Sequence, residues 1–145
     1  YGQHTSRSYK SFADTSFAAG DLILCPVIQF TLSGGARILP PYDDSVKVIA
    51  DFLLRHPHIV VEIGVHTDSR GSAEYNEDLS AFRAKRLKQY LVDSFGIDQK
   101  RLQAVGYGES QPVLAPEVFE NVNNPALREA LHAENRRIEI KIIQP

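Results

Sequence analysis

Residues 58–65, HIVVEIGV, alternate with a period of two, and after a glycine-containing loop the chain changes to the period of a long helix running from about 76 to 94. This switch constrains the fold more than any other feature, because an alternating strand has two faces and the helix after it must cover one of them. Ile59, Val61, Ile63 and Val65 share one face, and Val60, Glu62 and Gly64 share the other. The same grammar continues on both sides. Upstream, LILCPVIQFTL reads as a first strand interrupted at Pro26 and broken by SGGA. In PPYDDSVKVIADFLLRHP, the residues Val46, Ile49, Ala50, Leu53 and Leu54 make a helical stripe, capped by Asp43, Asp44 or Ser45 and stopped before Pro57. Downstream, a Gly-Ile-Asp stop leads to the strand RLQAVGY, a loop ESQPVLAPEVFENVNNP, a short helix ALREALHA and a last strand RRIEIKII. The order β-α-β-α-β-(α)-β predicts the α/β (α+β) class, a two-layer sandwich with helices packed on one mixed four-stranded sheet. Residues 1–20, rich in Ser and Thr and without a period, read as a linker or an adherent lead-in, and residues 21–145 as the domain.

Composition narrows the function. With 145 residues, 43% of them hydrophobic, the chain suits one core. Sixteen Lys plus Arg against eighteen Asp plus Glu give a net charge of −2, which supplies no basic field for nucleic acid or an anionic membrane. No apolar run is long enough to span a bilayer. Tyr1 at the start and the absence of Met mark the chain as a processed or excised piece of something longer. Cys25 stands alone, which excludes a disulfide framework and a multi-cysteine metal site, and it reads as buried near the first strand.

One residue breaks the helical pattern. Leu79, Phe82, Leu87, Tyr90 and Leu91 outline an apolar face of the second helix, and Arg83 lies near its middle. A guanidinium cannot shed its proton, so it is either inward, paired or lining a wet cavity, or it lies along the apolar surface and reaches out to water. In the last strand Arg136 extends the face of Ile138, Ile140 and Ile142, while Arg137 falls with Glu139 and Lys141 on the outside; a frayed strand end is the alternative for Arg136. Asp68, at the carboxyl end of the 58–65 strand, is the candidate counter-charge. It either forms a salt bridge with Arg83 or is held apart from it, so that the two read the ammonium and the carboxylate of a zwitterion.

The segments HTDSRGSAEYNEDLSAFRAKRLKQYL, GIDQKRLQAVGYGESQPV and NRRIEIKI closely resemble the OmpA-like peptidoglycan-binding domain, found in OmpA C-terminal domains, Pal lipoproteins and MotB-type stator proteins. The resemblance runs from about residue 27 to 143. It implies non-covalent binding of the meso-diaminopimelate of the peptidoglycan stem peptide, with Asp68 taking the ammonium and Arg83 the carboxylate. By the same carry-over Thr67, Asn76 and Leu79 line the pocket or hold its loop, and Arg136 closes it. It further implies a periplasmic domain of an outer-membrane-attached protein, a lipoprotein or an envelope machine, with other cell-envelope proteins as further partners, and with no cofactor, no nucleic acid and no membrane insertion of its own.

Two departures bear on the rim. The Asp-rich turn usual after the first strand is replaced by TLSGGARIL, where Ser33 is a weak substitute, and the segment between Pro112 and Asn135 is longer than in common members. Other chemistries fare worse. His66, Asp68 and Ser69 lie too close along one loop to act as nucleophile, base and orienter, so no enzyme is expected. His66 and Asp68 are too few for a metal, and His56 and His58, flanking Pro57, are read as facing solvent. GVHTDSRGS lacks the glycine spacing and lysine of a phosphate loop. A protein-interaction module with a vestigial pocket is the remaining alternative.

Overall fold

The computed structural model describes residues 7–31 and 37–145. Ser33 therefore lies outside the described residues. Among the described residues, short 3-10 turns aside, the strands and α-helices follow in order: β1 (Tyr9–Lys10), β2 (Leu22–Leu24), α1 (Asp43–Arg55), β3 (Val60–His66), α2 (Ala73–Phe95), β4 (Leu102–Gly108), α3 (Pro125–Asn135) and β5 (Arg137–Gln144). They build a mixed α/β fold whose five-stranded sheet has the order β1-β2-β5-β3-β4. The sheet has one more strand than the pattern predicts, because the short strand β1 in the lead-in pairs in parallel with β2. The first strand is also shorter than LILCPVIQFTL suggests. It stops at Leu24, ahead of Pro26; Cys25 N–H still bonds Ile138 C=O of the last strand, and beyond it Phe30 forms an isolated bridge with Ile38.

The expected inward face of β3 is found as read. Val61 and Ile63 are fully buried and meet Ile140 and Ile142 of β5 in one core, where Ile63 stands opposite Ile140. Cys25 is buried in the same core. β3 and β4 run parallel and are joined by α2, the crossover that a parallel pair requires. Helix α2 begins a turn earlier than its pattern indicates, because Ser72 caps it by accepting from Tyr75 N–H, and it ends at Gly96 in the left-handed conformation, where Ile97 N–H bonds Leu91 C=O. No helix among the described residues is long and apolar enough to cross a membrane.

Several face assignments are corrected. On α1 Leu54 is 55% exposed, and Phe52 completes the buried stripe with Val46, Ile49, Ala50 and Leu53. Phe82 is 46% exposed, and the buried stripe of α2 is Asn76, Ser80, Ala84, Leu87 and Leu91. The reason is close approach: α2 lies directly on the glycines of β4, so its contact side must be small, and Ser80 Oγ accepts from Gly108 N–H at 2.9 Å. On β5 the supposed outer residues are buried. Arg137 and Glu139 have side chains 5% and 3% exposed, because β5 is an inner strand and the lead-in lies against its second face. Glu139 accepts a bidentate pair from Arg7 at 2.6 and 2.7 Å, one bond from Arg137 Nε at 2.9 Å and one from the Tyr9 hydroxyl. His66 stacks on Tyr107 with Nε2 3.3 Å from the Glu139 carboxylate, and burial keeps its pKa below the ordinary value. His56, expected in solvent, is half-buried against Phe17 and Phe52, which closes the lead-in over α1.

The Glu139 cluster fastens residues 7–10 to the sheet. Burial tends to raise its pKa, but the bonds from Arg7, Tyr9 and Arg137 outweigh that and hold it far below the usual carboxylate range. Its contribution to stability is thus complete above the unfolded-state pKa of about 4 and is lost as pH falls further. Glu139→Gln is expected to cost about 3 kcal/mol at neutral pH, since it leaves a buried guanidinium without its charge partner, and to flatten the fall of Tm between pH 5 and about pH 2. Thermal denaturation of both proteins across that range checks this, and an unchanged Tm would show the cluster to be incidental.

Candidate functional site

The loop 67–72 leaves the end of β3 and turns into α2, and its shape is set by polar groups that cannot be satisfied by strand pairing. Thr67 N–H donates to Gly108 C=O, and the Thr67 hydroxyl donates to Asp68 C=O at 2.9 Å. Asn76, 5% exposed, donates through Nδ2 to Asp68 C=O, Arg70 C=O and Glu109 Oε1. Thr67 and Asn76 are therefore loop holders, bound to backbone and buried. Gly71, at φ +88°, supplies the left-handed turn that lets the loop double back on Asn76.

This frame places the Asp68 carboxylate at the mouth of the site, 7% exposed. Oδ1 accepts from Arg70 N–H at 2.9 Å and from Arg70 Nε at 3.2 Å, while Oδ2 accepts from Arg70 Nη2 at 2.7 Å and Arg136 Nη1 at 2.9 Å. Burial works to raise the Asp68 pKa, but these bonds outweigh it and hold the group well below the usual carboxylate range. Both arginines also reach Glu129 of α3, each at 2.8 Å.

Arg83 is not the partner of Asp68. Among the described residues it forms no ion pair, its Nε is buried without a hydrogen-bond partner, and its guanidinium lies 5.5 Å from the centre of the Phe30 ring. Burial lowers its pKa below the ordinary value. Asn76, Leu79 and Arg83, at i, i+3 and i+7, lie along one side of α2, so the Arg83 backbone sits about 10 Å along the helix from that of Asn76, with its side chain leaning back toward the helix N-terminus as helical side chains do. Half-buried Leu79 lies between them. This side of α2 thus carries the holder of an anionic loop, a half-buried leucine and a cation with no ion-pair partner among the described residues.

Arg136 reaches the site, but not as an inward residue of the last strand. It is the C-cap of α3, 40% exposed, ahead of β5 and turned to Asp68 and Glu129. The long segment before it forms one wall of a shallow pocket beside Asp68, lined by Thr67, Ser69, Glu109, Leu114 and Phe119. Asn135 pins this wall by accepting from Leu114 N–H at 2.8 Å. Arg70, Glu109 and Glu129 escaped the sequence reading. Arg70 carried a local signal, because an Asp two residues ahead of it, before a glycine, is the pattern of an Asx turn; Glu129 carried none, since its partners are remote in sequence.

The chain matches the OmpA family over residues 32–124. It is 44% identical over 98 residues to the outer membrane porin F of Pseudomonas fluorescens, covering 68% of this chain and 27% of that protein. The peptidoglycan-associated lipoprotein from Burkholderia pseudomallei has a similar structure, with a TM-score of 0.59 and 26% identity over 79% of this chain and 87% of that one. The cell wall anchor of the type VI secretion system from Pseudomonas aeruginosa superposes with a TM-score of 0.57 and 26% identity, covering 81% of this chain and 76% of that one. The chain spans between a quarter and a half of the length of the first three curated relatives.

Proposed function

This chain belongs to the OmpA family, and from that premise we propose that it binds peptidoglycan non-covalently through the diaminopimelate of the stem peptide. The domain then anchors a larger outer-membrane protein, lipoprotein or envelope machine to the wall, in the periplasm. Support comes from the relatives, which include a peptidoglycan-associated lipoprotein and a cell wall anchor. The observation that carries the reading to a ligand class is Arg83, a half-buried guanidinium whose Nε has no partner, on the same side of α2 as the residue holding Asp68. A cation left unanswered in this way is unfavourable in the free protein and favourable only when a carboxylate arrives. Asp68 supplies the complementary seat for an ammonium. The end of a diaminopimelate side chain carries both charges on one carbon, with methylenes behind it to lie on Leu79, whereas a lysine side chain carries the ammonium alone. Binding is the whole chemistry of this reading; no step needs a nucleophile, a metal or a cofactor.

Titration of the domain by NMR with a soluble diaminopimelate-containing muropeptide, beside the matching lysine-containing peptide, tests this. Shifts around Asp68 and Arg83 with the first and much weaker ones with the second are expected. Asp68→Ala is expected to weaken binding by at least about tenfold, the scale of a hydrogen bond to a charged group, with Tm changed by only a few degrees. Raising salt from 50 to 500 mM is expected to weaken it further, since the ligand charges are exposed before binding. Equal response to both peptides, or to neither, would remove the diaminopimelate reading, and silence to both would favour a protein-interaction module.

A further inference from the structure

The Asp68 carboxylate has no free acceptor position. An ionised carboxylate offers about four lone-pair directions, and Asp68 uses four: two for Arg70 N–H and Nε on one oxygen, two for Arg70 Nη2 and Arg136 Nη1 on the other. From this we infer that Arg70 is a gate on the ammonium seat, and that Glu129 is the positioning residue that receives the Arg70 guanidinium when it leaves. The inference rests on the wall-binding reading and adds to it the residue that decides whether the seat is open.

Geometry singles out the Arg70 side chain among the groups that supply these four bonds. Its backbone N–H is built into the loop and cannot leave. Arg136 occupies one position only. The Arg70 side chain occupies one position on each oxygen at once, so its departure frees an edge of the carboxylate wide enough for an ammonium with three donors. It is also the more exposed of the two arginines, with half of its side chain in solvent against 40% for Arg136. Glu129 already holds Arg70 Nη1 at 2.8 Å and Arg136 Nη2 at 2.8 Å. A guanidinium that swings off Asp68 therefore keeps a carboxylate partner, and the bonds exchanged are a pair of guanidinium contacts for the ammonium's own. Removing the competing guanidinium favours every ammonium ligand by the same factor, because the displaced contact is the same for all of them. Arg70 thus sets the affinity threshold of the seat, and Arg83 the preference among ligands.

The test is the same NMR titration with the diaminopimelate and lysine muropeptides, run on wild type, Arg70→Gln, Arg70→Lys and Glu129→Gln. Arg70→Gln is expected to bind both peptides about threefold to fivefold more tightly, the scale of a part-exposed ion pair, with their ratio unchanged. Arg70→Lys, which keeps the charge but not the bidentate fork, should fall between wild type and Arg70→Gln. Glu129→Gln should weaken binding about threefold. A merely structural role would move both Arg70→Gln and Glu129→Gln toward weaker binding. Equal or weaker binding by Arg70→Gln, with a wild type that binds, overturns the gate and leaves wall binding standing; binding by none of the four proteins overturns the wall reading and the gate together.

Discussion

Arg83→Leu is expected to abolish binding of a diaminopimelate wall peptide and, at the same time, to raise the Tm of the domain. Few substitutions move function and stability in opposite directions by a stated cause, and here the cause is on one atom. Nε of Arg83 is buried and without a partner, and the charge it belongs to is held in a place that desolvates it. An unmade buried hydrogen bond costs about 1–3 kcal/mol, and the stacking of the guanidinium on Phe30 returns about 0.5–1 kcal/mol of that. Leucine keeps the methylene contacts, is a good helix former and has nothing to leave unsatisfied. The net expectation is a gain of about 1 kcal/mol, or about 2–4 °C in Tm for a chain of this size. Calorimetry and the peptide titration decide it together. A fall in Tm of several degrees would make Arg83 a structural residue of the α2 face and deprive the ligand reading of its main support.

Gly106→Ala is expected to unfold the domain or to lower its Tm by more than 10 °C, the consequence of a loss above about 4 kcal/mol. A Cβ at this position would stand 2.0 Å from the Ala81 nitrogen, 2.4 Å from its Cα and 2.6 Å from the Ser80 carbonyl carbon. All three are backbone atoms of α2, so no side chain can turn aside to make room. The helix would have to lift from β4, breaking the Ser80 bond to Gly108 N–H and moving Asn76 and Arg83 relative to the Asp68 loop. Gly20→Ala is the control. It faces open space at φ +90°, so only backbone strain of about 1–2 kcal/mol is expected there. Urea denaturation of the two variants separates these cases, and a Gly106→Ala protein as stable as Gly20→Ala would show that α2 and β4 are not packed as closely as described.

The mixed α/β class, the core face of β3 and the stops of α1 and α2 were all legible in the sequence. These depend on local rules: the two periodicities, a proline after a helix, a left-handed glycine at Gly96; the expected cap of α1 fails, because Tyr42 is its N-cap without a side-chain bond and Asp43 and Asp44 lie within its first turn. The errors have a common origin. Period alone identifies that a residue alternates, and not how near the next element comes or which strand is central. The pattern puts Phe82 inside because large apolar residues mark a buried face in most helices, whereas α2 meets the glycines of β4 through Ser80 and Ala81 and needs small residues there. Alternation with the isoleucines puts Arg137 and Glu139 outside, but β5 is an inner strand and the lead-in covers its other face. The site shows the same division. Asp68 and Arg83 were visible as residues out of keeping with their surroundings, a property of the sequence. That Asp68 is filled by Arg70 and Arg136, that both lean on Glu129, and that Arg83 is left without a carboxylate depend on side chains up to 68 positions apart meeting in space. Ion pairs of that kind are fixed by how α3 and the end of β3 are brought together, and no local pattern carries that information.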